Sequence, residues 1–172
     1  MGQKPHDLIH NGSFEKSLHG WTLSDGGIAP NIPSGVYRDG TNKIENWDSR
    51  FGFVYAHPSD GANAMWTEWD GSPGQITLSQ SVSLAHTKTD VLHFDVQAAW
   101  DLQNYGAKHD RTFLVEVTDN KTGKVTDFTV LTAHAGDFEA GDQVLHETLD
   151  LSAFHGRDIT LSFVWQVPGT YD

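Results

Sequence analysis

Apolar and polar side chains alternate with a period of two along much of the chain, whereas a 3.6-residue helical period is hard to find. From Leu92 to Trp100, the residues Leu92, Phe94, Val96, Ala98 and Trp100 share one face and His93, Asp95 and Gln97 the other, as a half-buried strand requires. Phe113, Val115 and Val117 do the same opposite Leu114 and Glu116. So do Ile159, Leu161, Phe163, Trp165 and Val167 opposite Thr160, Ser162 and Gln166. These three segments are expected to supply much of the core. Further strands are predicted at Leu8–Ile9, Phe51–Ala56, Ala64–Trp69, Ile76–Leu84, Val125–Thr132 and Val144–Leu149. Asp119–Gly123 reads as a hairpin turn whose glycine takes positive φ, and Asp150–Phe154 has room for one helical turn before the last strand. Many short strands joined by Gly-, Asn-, Asp- and Pro-containing turns specify an all-β fold, a two-sheet antiparallel β-sandwich of jelly-roll type.

Two stretches depart from the alternation. Ser24–Arg50 is read as a long loop that nevertheless carries Tyr37 and Trp47, and Asp101–Asp110 as a polar loop with Asn104 and Tyr105. Long loops with embedded aromatics are more often functional than accidental. The 172 residues suit a single domain over residues 1–172, with no internal repeat or linker.

Charge narrows the partners. Eleven Lys+Arg against 23 Asp+Glu give a formal net charge of −12, a field that repels phosphate backbones and acidic membrane surfaces. Nucleic acid is thereby excluded as a favoured partner, and neutral glycans or cations are the easier ligands. Without cysteine there are no disulfides, thiolate nucleophiles or cysteine-ligated zinc. No apolar run is long enough to cross a bilayer, so no membrane insertion is expected. Met1–Asp7 lacks the apolar core of a secretory signal, as would a domain taken from within a longer secreted protein.

Three segments carry a family resemblance. The opening Leu8-Ile9-His10-Asn11-Gly12-Ser13-Phe14-Glu15, followed by Gly20-Trp21, is the first. Ser59–Ala64 with Leu78-Ser79-Gln80-Ser81-Val82 is the second, and Leu149–Leu161, with its Asp-Leu-Ser start, is the third. Together they resemble the carbohydrate-binding modules found beside bacterial polysaccharide-degrading enzymes, within the galactose-binding-domain-like superfamily. The resemblance implies a lectin-like accessory domain of a larger secreted or cell-surface bacterial protein, binding an oligosaccharide or polysaccharide. It also implies a structural calcium ion near Glu15, with Asp60 as a second ligand. Such modules close with a strand bearing an Asp-Asn or Asp-Asp pair, whereas this sequence stops at Gly169-Thr170-Tyr171-Asp172. A missing closing strand would leave the Leu8–Ile9 edge open to an edge-strand dimer.

Six Trp and four Tyr fit sugar recognition, because the C–H face of a pyranose packs on an aromatic ring while its hydroxyls seek polar side chains. Trp21, Trp100 and Trp165 are assigned to the core. Trp66 shares a strand face with Glu68, opposite Met65 and Thr67, so it either projects outward beside Asp95 and Gln97 or packs under a loop. The candidate ligand set is Trp66, Glu68, Trp47, Tyr37, Asp95, Gln97, Asn104 and Tyr105. Ten His residues show no HExxH or other zinc-type spacing. No catalytic residue is assigned: G-x-S-x-G and phosphate loops are absent. Glu68 with Asp70, or Asp137 with Glu139, would satisfy only the composition of a glycosidase pair. A structural or adhesion sandwich and a small glycoside-cleaving jelly roll stay open as alternatives.

Overall fold

A computed structural model describes residues 7–26, 34–39, 43–45, 53–55, 58–67, 73–84, 90–104, 107–141 and 143–168. In chain order the strands are β1 (Thr22–Ser24), β2 (Gly35–Arg38), β3 (Lys43–Glu45), β4 (Phe53–Tyr55), β5 (Asn63–Trp66), β6 (Gly74–Ser83), β7 (Val91–Val96), β8 (Trp100–Asp101), β9 (Arg111–Asp119), β10 (Val125–Ala133), β11 (Phe138–Glu139), β12 (Leu145–Asp150) and β13 (Asp158–Val167). One turn of 3-10 helix at Ser152–Phe154 precedes the last strand, where a single helical turn was expected. The main sheet has five antiparallel strands in the order β1-β6-β13-β9-β10, and β7–β12, β2–β5, β3–β4 and β8–β11 form separate pairs.

The period-two pattern decides which face is buried. Val82 of β6, Val115 and Val117 of β9, and Ile159 and Leu161 of β13 form one cluster with Leu92 of β7, and Phe94 and Leu149 pack against it. Thus β7–β12 lies over the main sheet as the second layer. The Phe94 and Phe163 rings meet edge-on between the layers at 5.1 Å. Leu151 and Phe154, from the 3-10 turn, complete the cluster. The last strand sits between β6 and β9, while β7 and β12 pass to the other layer, as in an all-β sandwich. At the β9–β10 hairpin the Asp119 carboxylate accepts from the Lys121 and Thr122 amides at 2.9 and 3.0 Å, and Gly123 takes φ 70° as expected.

Four expectations change. The strand beginning near Leu92 stops at Val96, and Trp100 opens the separate β8. Leu8–Ile9 forms no strand; its side chains pack on the core from a turn, so the edge needed for dimer pairing does not exist there. The actual edges of the main sheet are β1, three residues long, and β10, which carries a register shift between Thr129 and Leu131, and short or bulged edges discourage pairing with a second copy. The Ser24–Arg50 stretch contains β2 and β3, because its aromatic and β-branched residues are spaced closely enough to pair despite the surrounding Gly and Pro. Finally, Leu114 and Val164 are buried on the outer face of the main sheet, so that face is not uniformly solvated.

The opening turns are fastened to the sheet by one side chain. Gln80 points inward from β6 and is buried. Its Oε1 accepts from the His10 amide at 2.7 Å, and its Nε2 donates to the carbonyls of His10 and Gly20 at 2.9 and 3.0 Å. Asn11, at φ 55°, turns its side chain back into the same loop: Nδ2 donates to the Ser17 and His19 carbonyls, and Oδ1 accepts from the Lys16 amide. Trp21 then donates from Nε1 to the Asn11 carbonyl at 3.1 Å and packs its ring near Phe14 and Phe163. Asn11, Gly20, Trp21 and Gln80 are therefore parts of a single lock. Gln80→Leu keeps the volume but strips three backbone groups of their partner, and it is expected to lower unfolding stability by about 2–4 kcal/mol. Urea denaturation checks this, with the m-value unchanged.

Candidate functional site

β2 and β5 pair with Gly35 opposite Trp66, Val36 opposite Met65, Tyr37 opposite Ala64 and Arg38 opposite Asn63. Directly opposed residues of an antiparallel pair project to one side. Trp66 and Tyr37 therefore share a face of the ribbon, placed diagonally, with the smallest side chains, Gly35 and Ala64, as their cross-strand neighbours. A Cβ at Gly35 would stand 4.0 Å from Tyr37 Cε2, so the tyrosine ring reaches over the glycine, the residue opposite Trp66. Both aromatics are half-buried. At the end of the ribbon the Ser34 and Thr67 hydroxyls lie 2.8 Å apart. Trp66 Nε1 is buried without an acceptor among the described residues, a donor whose unmade bond costs about 1–3 kcal/mol.

Asp95 belongs to a different neighbourhood. It stands opposite His146 on the outward face of β7–β12, with Oδ1 2.6 Å from Nδ1. The Ser59 hydroxyl donates to the same carboxylate, and first this bond and then His146 hold the Asp95 carboxyl below its ordinary range. On the same face His93 Nδ1 lies 3.1 Å from the Thr148 hydroxyl. Ser59 opens the loop that leads into β5, so Asp95 ties that loop to the second layer.

The same loop is held from its other side by Glu15. Glu15 Oε1 accepts from the Ala62 and Asn63 amides at 2.6 and 3.0 Å. Gly61, at φ 76°, has no room for a Cβ because the Glu15 carboxylate occupies that space. Asp60 is exposed in this loop. Glu15 thus spends an oxygen on backbone amides, and among the described residues no three His, Asp or Glu side chains converge as a metal set.

Gln97 and Asn104 are engaged by their own surroundings. Gln97 Nε2 donates to the Gly141 carbonyl at 2.5 Å, and Asn104 donates from its amide and Nδ2 to the buried Asp101 carboxylate at 3.0 and 2.9 Å. Neither joins Trp66 or Tyr37 through any of these bonds. Of the alternative acidic pair, Glu139 accepts from the Gly141 amide at 3.1 Å while Asp137 is exposed. Glu68, Asp70, Trp47 and Tyr105 lie outside the described residues. Sequence reasoning missed Gly35, Ser59 and His146, whose contributions come from cross-strand register and loop placement rather than from a local motif.

Among the described residues no helix is long and apolar enough to cross a membrane. No protein-family model matches the chain, and no curated protein matches it.

The Ser59–Asp95–His146 geometry has a titration signature. A carboxyl held below its ordinary range contributes stability that is present above its unfolded value, about 3.9, and is lost as pH falls through the folded value. Ser59→Ala is expected to move the Asp95 titration, followed by carboxyl carbon NMR, upward by more than His146→Ala does.

Proposed function

We propose that this chain is a non-catalytic module that binds a neutral glycan, with Trp66 and Tyr37 as its stacking surface. The single observation that carries the reading is their placement on one face of the β2–β5 ribbon, with no bulky side chain opposite either ring. Neighbouring aromatic faces of this kind suit the C–H face of a pyranose, and hydroxyls such as those of Ser34 and Thr67 suit its rim. The net charge of −12 favours an uncharged sugar over an acidic one. The module reading also places the chain within a larger secreted or cell-surface bacterial protein, where it would hold that protein on its polysaccharide.

A glycan array followed by isothermal titration tests the proposal. Trp66→Ala or Tyr37→Ala should weaken binding of the glycan that the parent retains at least tenfold, about 1.4 kcal/mol, with the melting temperature little changed. Trp21→Ala is the control: its buried ring should cost about 3–5 kcal/mol of stability instead. Reducing-sugar assays should show no release. Release would favour the glycoside-cleaving alternative, and absence of any glycan ligand the structural or adhesion one.

A further inference from the structure

Asn11 is the one asparagine of the chain that is followed by glycine. That pairing has a chemistry of its own, because without a Cβ on Gly12 nothing shields the backbone nitrogen that lies within reach of the asparagine side chain. Once deprotonated, the Gly12 nitrogen attacks Cγ of Asn11. The N–Cγ bond forms, the Cγ–Nδ2 bond breaks, and ammonia leaves with the proton that the backbone nitrogen gave up. Solvent water then opens the resulting cyclic imide at either carbonyl carbon. Opening at Cγ leaves aspartate, whereas opening at the main-chain carbonyl leaves isoaspartate, with the chain routed through the former side chain.

In the folded chain the same side chain is the centre of the opening turns. Its Nδ2 donates to the Ser17 and His19 carbonyls at 2.8 and 3.1 Å, and its Oδ1 accepts from the Lys16 amide at 3.0 Å. The Asn11 carbonyl accepts from the Phe14 amide and from Trp21 Nε1, both at 3.1 Å. Attack turns the planar Cγ tetrahedral and pulls Nδ2 away from both carbonyls, so the reaction waits for the turn to open. Opening is local, because His10, Gly12, Lys16, Ser17, His19 and Gly20 are exposed, and a segment with few buried contacts opens at less cost than the whole fold. The products cannot restore the turn. Aspartate replaces the Nδ2 donor with an oxygen that faces two carbonyl oxygens, and isoaspartate inserts an extra atom that displaces the carbonyl on which Phe14 and Trp21 depend.

We propose that Asn11 is a site of spontaneous deamidation and works as a one-way switch: the Gln80 lock keeps the asparagine unreactive, and conversion of the asparagine releases the lock. The consequence travels beyond the turn. Glu15 follows directly, and its carboxylate holds the Ala62 and Asn63 amides at the start of β5. When the opening turns loosen, that loop loses one of its two anchors, and the strand that ends in Trp66 loses its fixed starting point. The switch does not depend on what the β2–β5 face binds. Asn63, Asn104 and Asn120 are followed by Ala, Tyr and Lys, whose side chains crowd the attacking nitrogen, so the chemistry is directed to Asn11.

Peptide mapping by mass spectrometry tests this on the full chain kept in mildly alkaline buffer, folded in one sample and unfolded in urea in the other. Replacement of the amide NH₂ by OH at Asn11 should build up in urea, as aspartate and isoaspartate together, and at least about tenfold more slowly in the folded chain. Gln80→Leu under folding conditions should move the rate towards that of the unfolded chain. Gly12→Ala should slow the reaction in urea and keep the fold, since a Cβ there meets Ile9 Cγ2 at 3.4 Å and no positive φ stands against it. Asn11→Asp, which carries the product without the reaction, should melt about 4–8 °C below the parent. It should also exchange the Ala62 and Asn63 amide hydrogens faster, while those of Val115 and Val117 in β9 keep their protection. Absence of product at Asn11 in urea overturns the proposal, as does a folded parent that reacts as fast as the unfolded chain. An Asn11→Asp chain with the parent's melting temperature and the parent's exchange at Ala62 and Asn63 also overturns it.

Discussion

The Gln80 amide is the constraint on which the N-terminal part of the fold depends. A primary amide has a donor group and an acceptor, and here both ends are spent on backbone atoms of residues far away in sequence. Burying these groups is tolerable because each has its partner. The lock fixes His10 and Gly20, and with them the loop that Asn11 folds around itself. Trp21 can then reach the rings of Phe14 and Phe163 as the chain enters β1. A polar side chain in an apolar layer thereby specifies where the first twenty residues lie, which apolar contacts alone would leave to several similar packings.

The two faces of the main sheet obey different rules. Towards the second layer, the centre of the sheet packs apolar side chains, and the aromatic contact between Phe94 and Phe163 joins the layers. On the other side the sheet presents hydroxyls and carboxylates, interrupted where Leu114 and Val164 are buried. That division follows from the pleat, since a residue one position along the strand belongs to the opposite face. Where charge does take the inward parity of β9 it sits near the ends of the strand, at Arg111 and Asp119, and Asp119 is paired with Arg157 and the turn amides.

Much of this was legible in the residues. The long strands β9 and β13 were plain because their apolar sides repeat for at least three positions, and the Asp119–Gly123 turn was plain because the chemistry of the turn is local. Leu8–Ile9 misled because two apolar residues look alike whether they enter a sheet or cap a core from a turn. Trp100 misled because the alternation continues through Ala98, while the chain leaves the strand after Val96. The candidate site was less visible still. Ring chemistry singles out Tyr37 and Trp66 in the sequence, but their common face depends on the register of β2 against β5, which no single segment encodes. Glu15, Gln97 and Asn104 have the residue types of ligand groups and instead bond to nearby backbone or side-chain atoms, an outcome that tertiary contacts decide.

The loop from Ser59 to Asn63 is tethered twice, through the Ser59 hydroxyl to Asp95 in the second layer and through its last amides to Glu15 in the opening turns. Gly61 closes the space between these anchors so tightly that only hydrogen fits there. The strand that follows therefore starts from a fixed point, and its aromatic end need not be frozen out of many conformations when something arrives. The entropy of ordering has been spent at folding, so encounters meet a surface already shaped. For any partner of that face, differences in affinity should then be written in how long complexes last rather than in how often they form.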